Sequence, residues 1–295
     1  MKKFFVIFFI STLSLIAQTL EPRLYSNLPT DLNFVVTGYT YSSGALPDSP
    51  VLEDSELNIQ ALFFAYARGF NFFTKSAKVS VVVPTVCIDG NALYLGSRVY
   101  RDSCGVGDIK TRVSINFFGA PATALKDFSS YEQDLILGVS LQATIPTGKY
   151  SKEKLVNIGS NRWGVKAGFG ASKKINNLIV ELAVDAEIYT NNDDFLLGKR
   201  SQEAIFSTQL HFIYNLPKHM WIALDTNYYF GGENSVGGLK KDDELNNSRT
   251  GLTFALPLSR SNSLKFYGSK GIFARAGSSF DTLGVAWQYR FVDGF

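Results

Sequence analysis

Charged side chains occur at alternate positions within several apolar stretches, and side chains with this spacing can line a polar conduit. Ten of them are candidate lining residues: Lys110, Arg112, Lys166, Glu181, Asp185, Glu187, Asp225, Arg249, Lys265 and Arg290. Successive side chains of a β-strand point to opposite faces, so each charge would lie on a polar face that opposes an apolar one. Because a charge facing mid-bilayer lipid costs about 2–4 kcal/mol, we expect these side chains to face inward.

The charges on the polar faces have two interpretations. Acidic residues group on one predicted strand and basic residues on others, which would produce a transverse field across a water-filled lumen and select polar solutes. The alternative is that opposite charges pair with one another and fill a small barrel.

The chain offers little of the chemistry that hydrolases use. Its two histidines are His211, on a polar strand face, and His219, in a predicted turn. Neither belongs to a recognisable nucleophile–base arrangement, and the sequence contains no GxSxG or HExxH motif. We predict that the protein is not an enzyme and holds no metal or cofactor. An outer-membrane hydrolase with His211 as general base is the less favoured alternative.

Two predicted external loops carry further candidate residues. Cys87 and Cys104 are close in sequence and would form a disulfide in an oxidising compartment, whereas zinc would require additional ligands. In a second loop, the residues Asn157, Gly159, Asn161 and Arg162 are candidates for an inward-folded constriction, since Gly and Asn permit unusual backbone angles. A simple external turn is an equal alternative for this second loop.

The N-terminus has the pattern of a secretory signal peptide. Lys2 and Lys3 precede the apolar stretch 4–16, and Ala17 offers a small residue for cleavage. No later run reaches the roughly 20 apolar residues that a membrane-spanning helix needs. We predict a signal peptide at residues 1–17 and one exported domain at residues 18–295.

Strict alternation of apolar and polar residues recurs in segments of about ten residues, the length of a tilted membrane-spanning strand. In the clearest segment, residues 109–117, five apolar side chains fall on one face and four polar ones on the other. The pattern predicts an all-β, transmembrane, antiparallel up-and-down barrel of about 12 strands, with a soluble β-sandwich as the alternative.

Connection lengths support an even number of strands, with long external loops that alternate with short periplasmic turns. The predicted external loops include 43–56, 87–107, 191–202, 231–247 and 270–279. One connection, 119–133, is long for a periplasmic turn, and we expect a short helix at 123–128. If loop 86–107 folded into the lumen, it would close the pore.

The last predicted strand ends near the C-terminus in a series of aromatic side chains. Trp287, Tyr289 and Phe291 share one face, and Phe295 follows at the terminus. We expect the barrel-assembly machinery to recognise this strand, and the segment 292–295 to act as a periplasmic anchor.

Several blocks resemble one family. They are PTGKYSKEKLVNIGSNRWGVK (146–166), TNNDDF (190–195), FDTLGVAWQYRF (280–291), GAPA (119–122) and the segment 37–44. These blocks are similar to the outer-membrane transporters grouped as the "MetA-pathway of phenol degradation" family, across nearly the whole exported domain. The resemblance implies an outer-membrane barrel with a channel or transport role. It transfers no functional residue, and this chain departs from the family by extending past Phe291.

Taken together, these patterns predict a channel in the outer membrane of a Gram-negative bacterium for passive uptake of small solutes. Hydrophobic or aromatic compounds are the candidates that the family's name suggests, and a structural or surface-interaction barrel without an open pore is the alternative. The expected partners are outer-membrane lipids, lipopolysaccharide, a small-molecule solute and the assembly machinery. The formal net charge of +3 and the lack of a basic run argue against nucleic-acid binding.

Overall fold

The computed structural model describes residues 20–45, 52–94, 96–195, 198–274 and 279–292. The predicted signal peptide and Phe295 lie outside these residues. The strands are β1 (Leu32–Ala45), β2 (Leu52–Phe72), β3 (Lys75–Tyr94), β4 (Ser97–Val106), β5 (Ile109–Pro121), β6 (Leu135–Ile145), β7 (Gly164–Ile175), β8 (Leu178–Tyr189), β9 (Asn192–Phe195), β10 (Gly198–Gln202), β11 (Ile205–Asn215), β12 (Trp221–Gly231), β13 (Asn234–Val236), β14 (Leu239–Lys240), β15 (Leu245–Pro257), β16 (Asn262–Ala274) and β17 (Ser279–Val292).

Twelve of the described strands form a closed antiparallel barrel. Following the wall, the order is β1, β2, β3, β5, β6, β7, β8, β11, β12, β15, β16 and β17. The last strand pairs with the first, with Leu32 opposite Val292 and Ala45 opposite Ser279, so the wall has no open edge. The up-and-down barrel predicted from the alternation is therefore confirmed. No helix in the described part of the chain is long and apolar enough to cross a membrane.

The two faces of the wall have opposite polarity, as the alternation predicts. On β12, Asp225 and Asn227 are almost fully buried inside, while Leu224 and Phe230 are exposed outside. Other strands show the same division, with buried Ser, Gln, Glu and Arg side chains and exposed Leu, Val, Phe and Tyr side chains. Because the exposed side chains are the apolar ones, the outer surface is suited to lipid rather than water.

Two strands extend well beyond the membrane thickness. β2 has 21 residues and β3 has 20, about twice the length that a tilted strand needs to cross a bilayer. β3 pairs with β5 only from Lys75 to Val82, and from Thr85 onward it pairs with β4. The prediction that 87–107 is an external loop is therefore wrong. Its residues continue the β2–β3–β4 extension, because strand pairing satisfies the backbone in water as well as in lipid.

A disulfide joins the middle strand of this extension to its edge strand. Cys87 and Cys104 lie opposite each other on β3 and β4 and are bonded. The bond fixes β4 at the level where β3 no longer has β5 as its partner.

Two other predicted loops also contain strands. β10 pairs with β9 and with β13, and β13 pairs with β14, which gives a four-stranded external sheet. The sheet is built from the predicted loops 191–202 and 231–247. The long periplasmic connection contains a 3-10 turn at Phe128–Ser130 instead of the helix expected at 123–128.

The assignment of the outer face of the wall to lipid can be tested by introducing an arginine at each of two positions. Leu224 is 49% exposed near the middle of β12, and Leu239 is 69% exposed on β14 of the external sheet. We expect Leu224→Arg to lower the free energy of unfolding by about 2–4 kcal/mol in lipid, and Leu239→Arg to change it by less than about 0.5 kcal/mol. Urea titration of liposome-folded protein measures both values, and equal losses would contradict the assignment of Leu224 to the lipid face.

The disulfide should stabilise the extension but not the barrel. It links residues 17 positions apart, and closing a loop of this length contributes about 3 kcal/mol. We expect the double variant Cys87→Ser, Cys104→Ser to be cut by trypsin faster at Arg98 and Arg101, while the barrel keeps its resistance to SDS. Loss of SDS resistance in the variant would show that the bond supports the barrel itself.

Candidate functional site

A non-strand segment, residues 20–31, lies inside the lumen directly before β1. We refer to it as the plug segment. Residues 21–29 are all buried, although they form no sheet pairing with the wall. Strand alternation does not predict this segment, which reaches from Phe128 at the periplasmic end of the lumen to Arg112 on β5.

An ion pair attaches the plug segment to the wall. The carboxylate of Glu21 accepts hydrogen bonds from both Nη groups of Arg112 on β5, at 2.8 Å and 2.9 Å. Arg112 also donates to Gln142 on β6 at 2.6 Å. The side chains of Glu21 and Arg112 are only 4% and 8% exposed. A bidentate arrangement of this kind is among the stronger hydrogen-bonded pairs, and both partners would carry a large desolvation cost if they were separated.

Polar side chains of the wall satisfy the backbone of the plug segment. The amide of Leu24 donates to Glu181 at 2.9 Å, and its carbonyl accepts from Lys78 at 3.1 Å. The carbonyl of Tyr25 accepts from Asn116 at 3.1 Å, and the amide of Glu21 donates to Gln209 at 3.1 Å. Buried peptide groups outside regular structure need such partners. Several lumen charges therefore hold the plug segment instead of lining open space.

Three glycines of the wall make room for one aromatic ring. A Cβ atom added at Gly170 would lie 2.1 Å from the ring of Tyr25, and one added at Gly138 would lie 2.5 Å from it. At Gly168 the hydroxyl of Tyr25 would be 3.1 Å away, and this hydroxyl is 3.3 Å from Ser140 Oγ. Any larger residue at Gly170 would displace the ring of Tyr25.

The long β5–β6 connection, residues 122–134, covers the base of the plug segment. The amide of Thr30 donates to the carbonyl of Thr123 at 3.0 Å, and the amide of Leu125 donates to Asp31 at 2.9 Å. Leu28 packs in an apolar cluster with Phe128 of the same connection. These contacts give a physical reason for a periplasmic connection that is longer than a simple turn.

The ten predicted lining residues all lie on inward-facing strand positions. Seven are buried, namely Arg112, Glu181, Asp185, Asp225, Arg249, Lys265 and Arg290, while Lys110, Lys166 and Glu187 are half-buried. Their environments differ. Arg112 and Glu181 bind the plug segment, and Arg249 donates to Ser269 and to the carbonyl of Phe280.

Asp225 belongs to a buried polar cluster. It accepts from His211 Nδ1 at 2.7 Å and from Thr253 at 2.8 Å, and His211 is only 1% exposed. The imidazole therefore lies beneath other side chains and is not accessible to a substrate in the lumen. No group of three or more His, Cys, Asp and Glu side chains in the described ranges is arranged to hold a metal ion.

The four candidate constriction residues are in the β6–β7 loop, residues 146–163, and they separate in the structure. Asn157 bonds within its own loop to Ser151 and Lys154, and Gly159 packs against Gly148. Asn161 is exposed and bonds to Asn192. Gly159 and Arg162 are buried, and Arg162 lies at the external rim of the lumen.

A closed antiparallel barrel with an apolar exterior and a polar, occupied lumen defines the chain as an outer-membrane β-barrel of a Gram-negative bacterium. The sequence matches the family described as "Putative MetA-pathway of phenol degradation" over residues 34–290, and the chain belongs to this family. The resemblance predicted from the sequence blocks is thus confirmed. No curated protein matches the sequence significantly.

Solved structures share the fold. The COG4313 outer membrane channel from Pseudomonas putida F1 matches with a TM-score of 0.79 and 21% identity, over 92% of this chain and 100% of that chain. The transport unit of the autotransporter AIDA-I from Escherichia coli matches with a TM-score of 0.53 and 10% identity, over 90% of this chain and 92% of that chain. At these identities the likeness supports the architecture alone.

Glu21 is the best position for testing how the plug segment is held. We expect Glu21→Gln to loosen the segment by about 3–5 kcal/mol, because Arg112 would keep a buried charge without its partner. Hydrogen exchange followed by mass spectrometry should then show faster exchange in residues 20–31, with the strands unchanged. Glu153→Gln, at an exposed loop position, serves as the matched control. Unchanged exchange in the Glu21 variant would refute the anchoring role of the pair.

Proposed function

We propose that this protein is an outer-membrane channel for passive uptake of small solutes, and that the plug segment closes its resting state. The observation that carries the proposal is the plug segment itself. It occupies part of a polar lumen but is not paired with the wall as a strand, so it can leave without opening the wall.

The lining charges are consistent with a solute route above the plug segment. Lys110, Lys166 and Glu187 are half-buried, and they lie toward the external ends of β5, β7 and β8. This part of the lumen therefore presents both signs of charge to an entering molecule, which favours polar or charged groups on the solute.

Hydrophobic or aromatic compounds are the solutes that the comparisons support. The family is described by a pathway of phenol degradation, and the Pseudomonas putida F1 protein that shares the fold is an outer membrane channel. We extend this role to the present chain. A hydrolase is less well supported, because its candidate base, His211, is buried and bonded to Asp225.

The second candidate function is a structural or surface-interaction barrel. The observation in its favour is the burial of residues 21–29, which would block the lumen if it were permanent. The two functions differ in one measurable property, namely whether releasing the plug segment allows solutes to pass.

A single methyl group at Gly170 tests the channel. An alanine there would place Cβ 2.1 Å from the Tyr25 ring and force the ring out of its position, whereas alanine at Gly198 would meet no atom closer than 3.4 Å. We expect Gly170→Ala to raise single-channel conductance in planar bilayers and solute flux in liposome-swelling assays severalfold. Gly198→Ala should behave as the unmodified protein does.

Conductance and flux that stay absent in Gly170→Ala would overturn the channel function, provided that hydrogen exchange shows residues 20–31 to be released. That outcome would support the barrel without an open pore.

A further inference from the structure

Arg162 is buried at the external rim without a complete set of hydrogen-bond partners. The residue is 8% exposed, and its Nη2 donates to Gln202 at 2.5 Å. Its Nε and Nη1 atoms are buried and have no hydrogen-bond partner. Buried guanidinium groups normally have their N–H groups satisfied, so this one has donors available for a ligand.

The position of Arg162 is on the lumen side of the rim. Its guanidinium lies 4.1 Å from the ring centroid of Tyr189, which ends β8 on the inward-facing parity. The ring of Tyr189 covers Gly164 at the start of β7, at 3.1 Å from the position of a Cβ atom there. The guanidinium therefore lies on the lumen side of the wall, with its unpartnered N–H groups covered by neighbouring side chains. A ligand reaches these groups by displacing the covering side chains.

A second arginine lies beside the first. Arg200 lies two residues before Gln202 on β10. Its Nε donates to Asn234 at 2.9 Å, and its guanidinium lies 5.2 Å from the ring centroid of Phe195. The Nη groups of Arg200 have no hydrogen-bond partner among the described residues. Burial, and then the charge of Arg200, lower the pKa of Arg162 to about 10, so this guanidinium remains charged at neutral pH.

Nearby carboxylates do not neutralise this pair of charges by direct contact. Glu187 and Asp108 lie near Arg162, and Asp243 lies near Arg200, but neither arginine forms an ion pair with a described residue. Asp108 accepts from the amides of Gly148 and Ser160, and Asp243 accepts from Asn234. Like charges held side by side with free donors form an arrangement that an anion stabilises.

We propose that Arg162 and Arg200 form a binding site for the carboxylate of a small aromatic acid at the external rim of the lumen. A carboxylate matches the planar fork of a guanidinium and can accept from two arginines at once. The half-buried ring of Tyr189 supplies apolar surface beside the charges. The proposal rests on the channel function only in that the solute enters the lumen from outside.

Binding of sodium benzoate to the full-length, detergent-refolded chain tests the site. We expect saturation by benzoate in isothermal calorimetry, with affinity about tenfold weaker in Arg162→Gln, because one charge-assisted contact is lost. Benzyl alcohol, which has the ring but no charge, should bind more weakly and equally to both proteins. Lys199→Gln is the matched control, since Lys199 lies on the same strand but is exposed and pairs with Asp193.

Arg200→Gln repeats the test at a half-buried position in case Arg162→Gln does not fold, as judged by its SDS resistance. Equal benzoate affinity in the unmodified protein and both folded arginine variants would overturn the site, as would a failure of benzoate to bind. Bilayer recordings separate this result from the channel function. Benzoate binding that depends on the two arginines, together with absent conductance in a Gly170→Ala variant whose plug segment is released, would support the site and reject the channel.

Discussion

Every backbone N–H and C=O group of a chain in the hydrocarbon layer must find a partner within the protein, because lipid offers none. The pairing of β1 with β17 meets this requirement by removing the last open edge from the wall. The remaining features follow from closure. The outer face can be apolar because it needs no polar function, and the inner face must accommodate every charge that the strands carry.

The inner face uses many of its charges to hold a segment that has no regular structure. Buried peptide groups of residues 21–25 bond to Gln209, Glu181, Lys78 and Asn116, and the carboxylate of Glu21 bonds to Arg112. These contacts are individually modest and together specific. A segment held in this way can be stable in place and still separate from the wall as a unit, which a strand of the barrel cannot do.

The wall could be predicted from the sequence, whereas most of the site could not. Strict alternation reports the two faces of a strand, and it placed Arg112, Glu181 and Asp225 on the inner face correctly. Alternation contains no information on a segment outside the sheet, so residues 20–31 were missed. Two signals were available in retrospect: Gly168 and Gly170 at inward positions, and a periplasmic connection that was too long.

The strands outside the membrane were missed for a different reason. One face of the extension remains apolar, with Ile59 and Ile88 in a buried cluster. On β4, however, most side chains are exposed, so the alternation fades and the segment 87–107 looks like a loop. The position of Arg162 depends on the packing of the β6–β7 loop against the external sheet. Contacts between distant loops leave no local pattern in the sequence.

Closure of the barrel removes every open strand edge from the wall, but the extension introduces a new edge strand, β4. Among the described strands only β3 pairs with β4, so the other side of β4, if uncovered, would be a template for association with a second chain. The β6–β7 loop covers it, since Lys149 bonds to the carbonyl of Cys104 through Nζ and to that of Val106 through its amide, and Arg101 reaches the carbonyl of Val156. The loop that carries Arg162 thus also covers the outer edge of β4, and a covered edge is not available to pair with a strand of another chain.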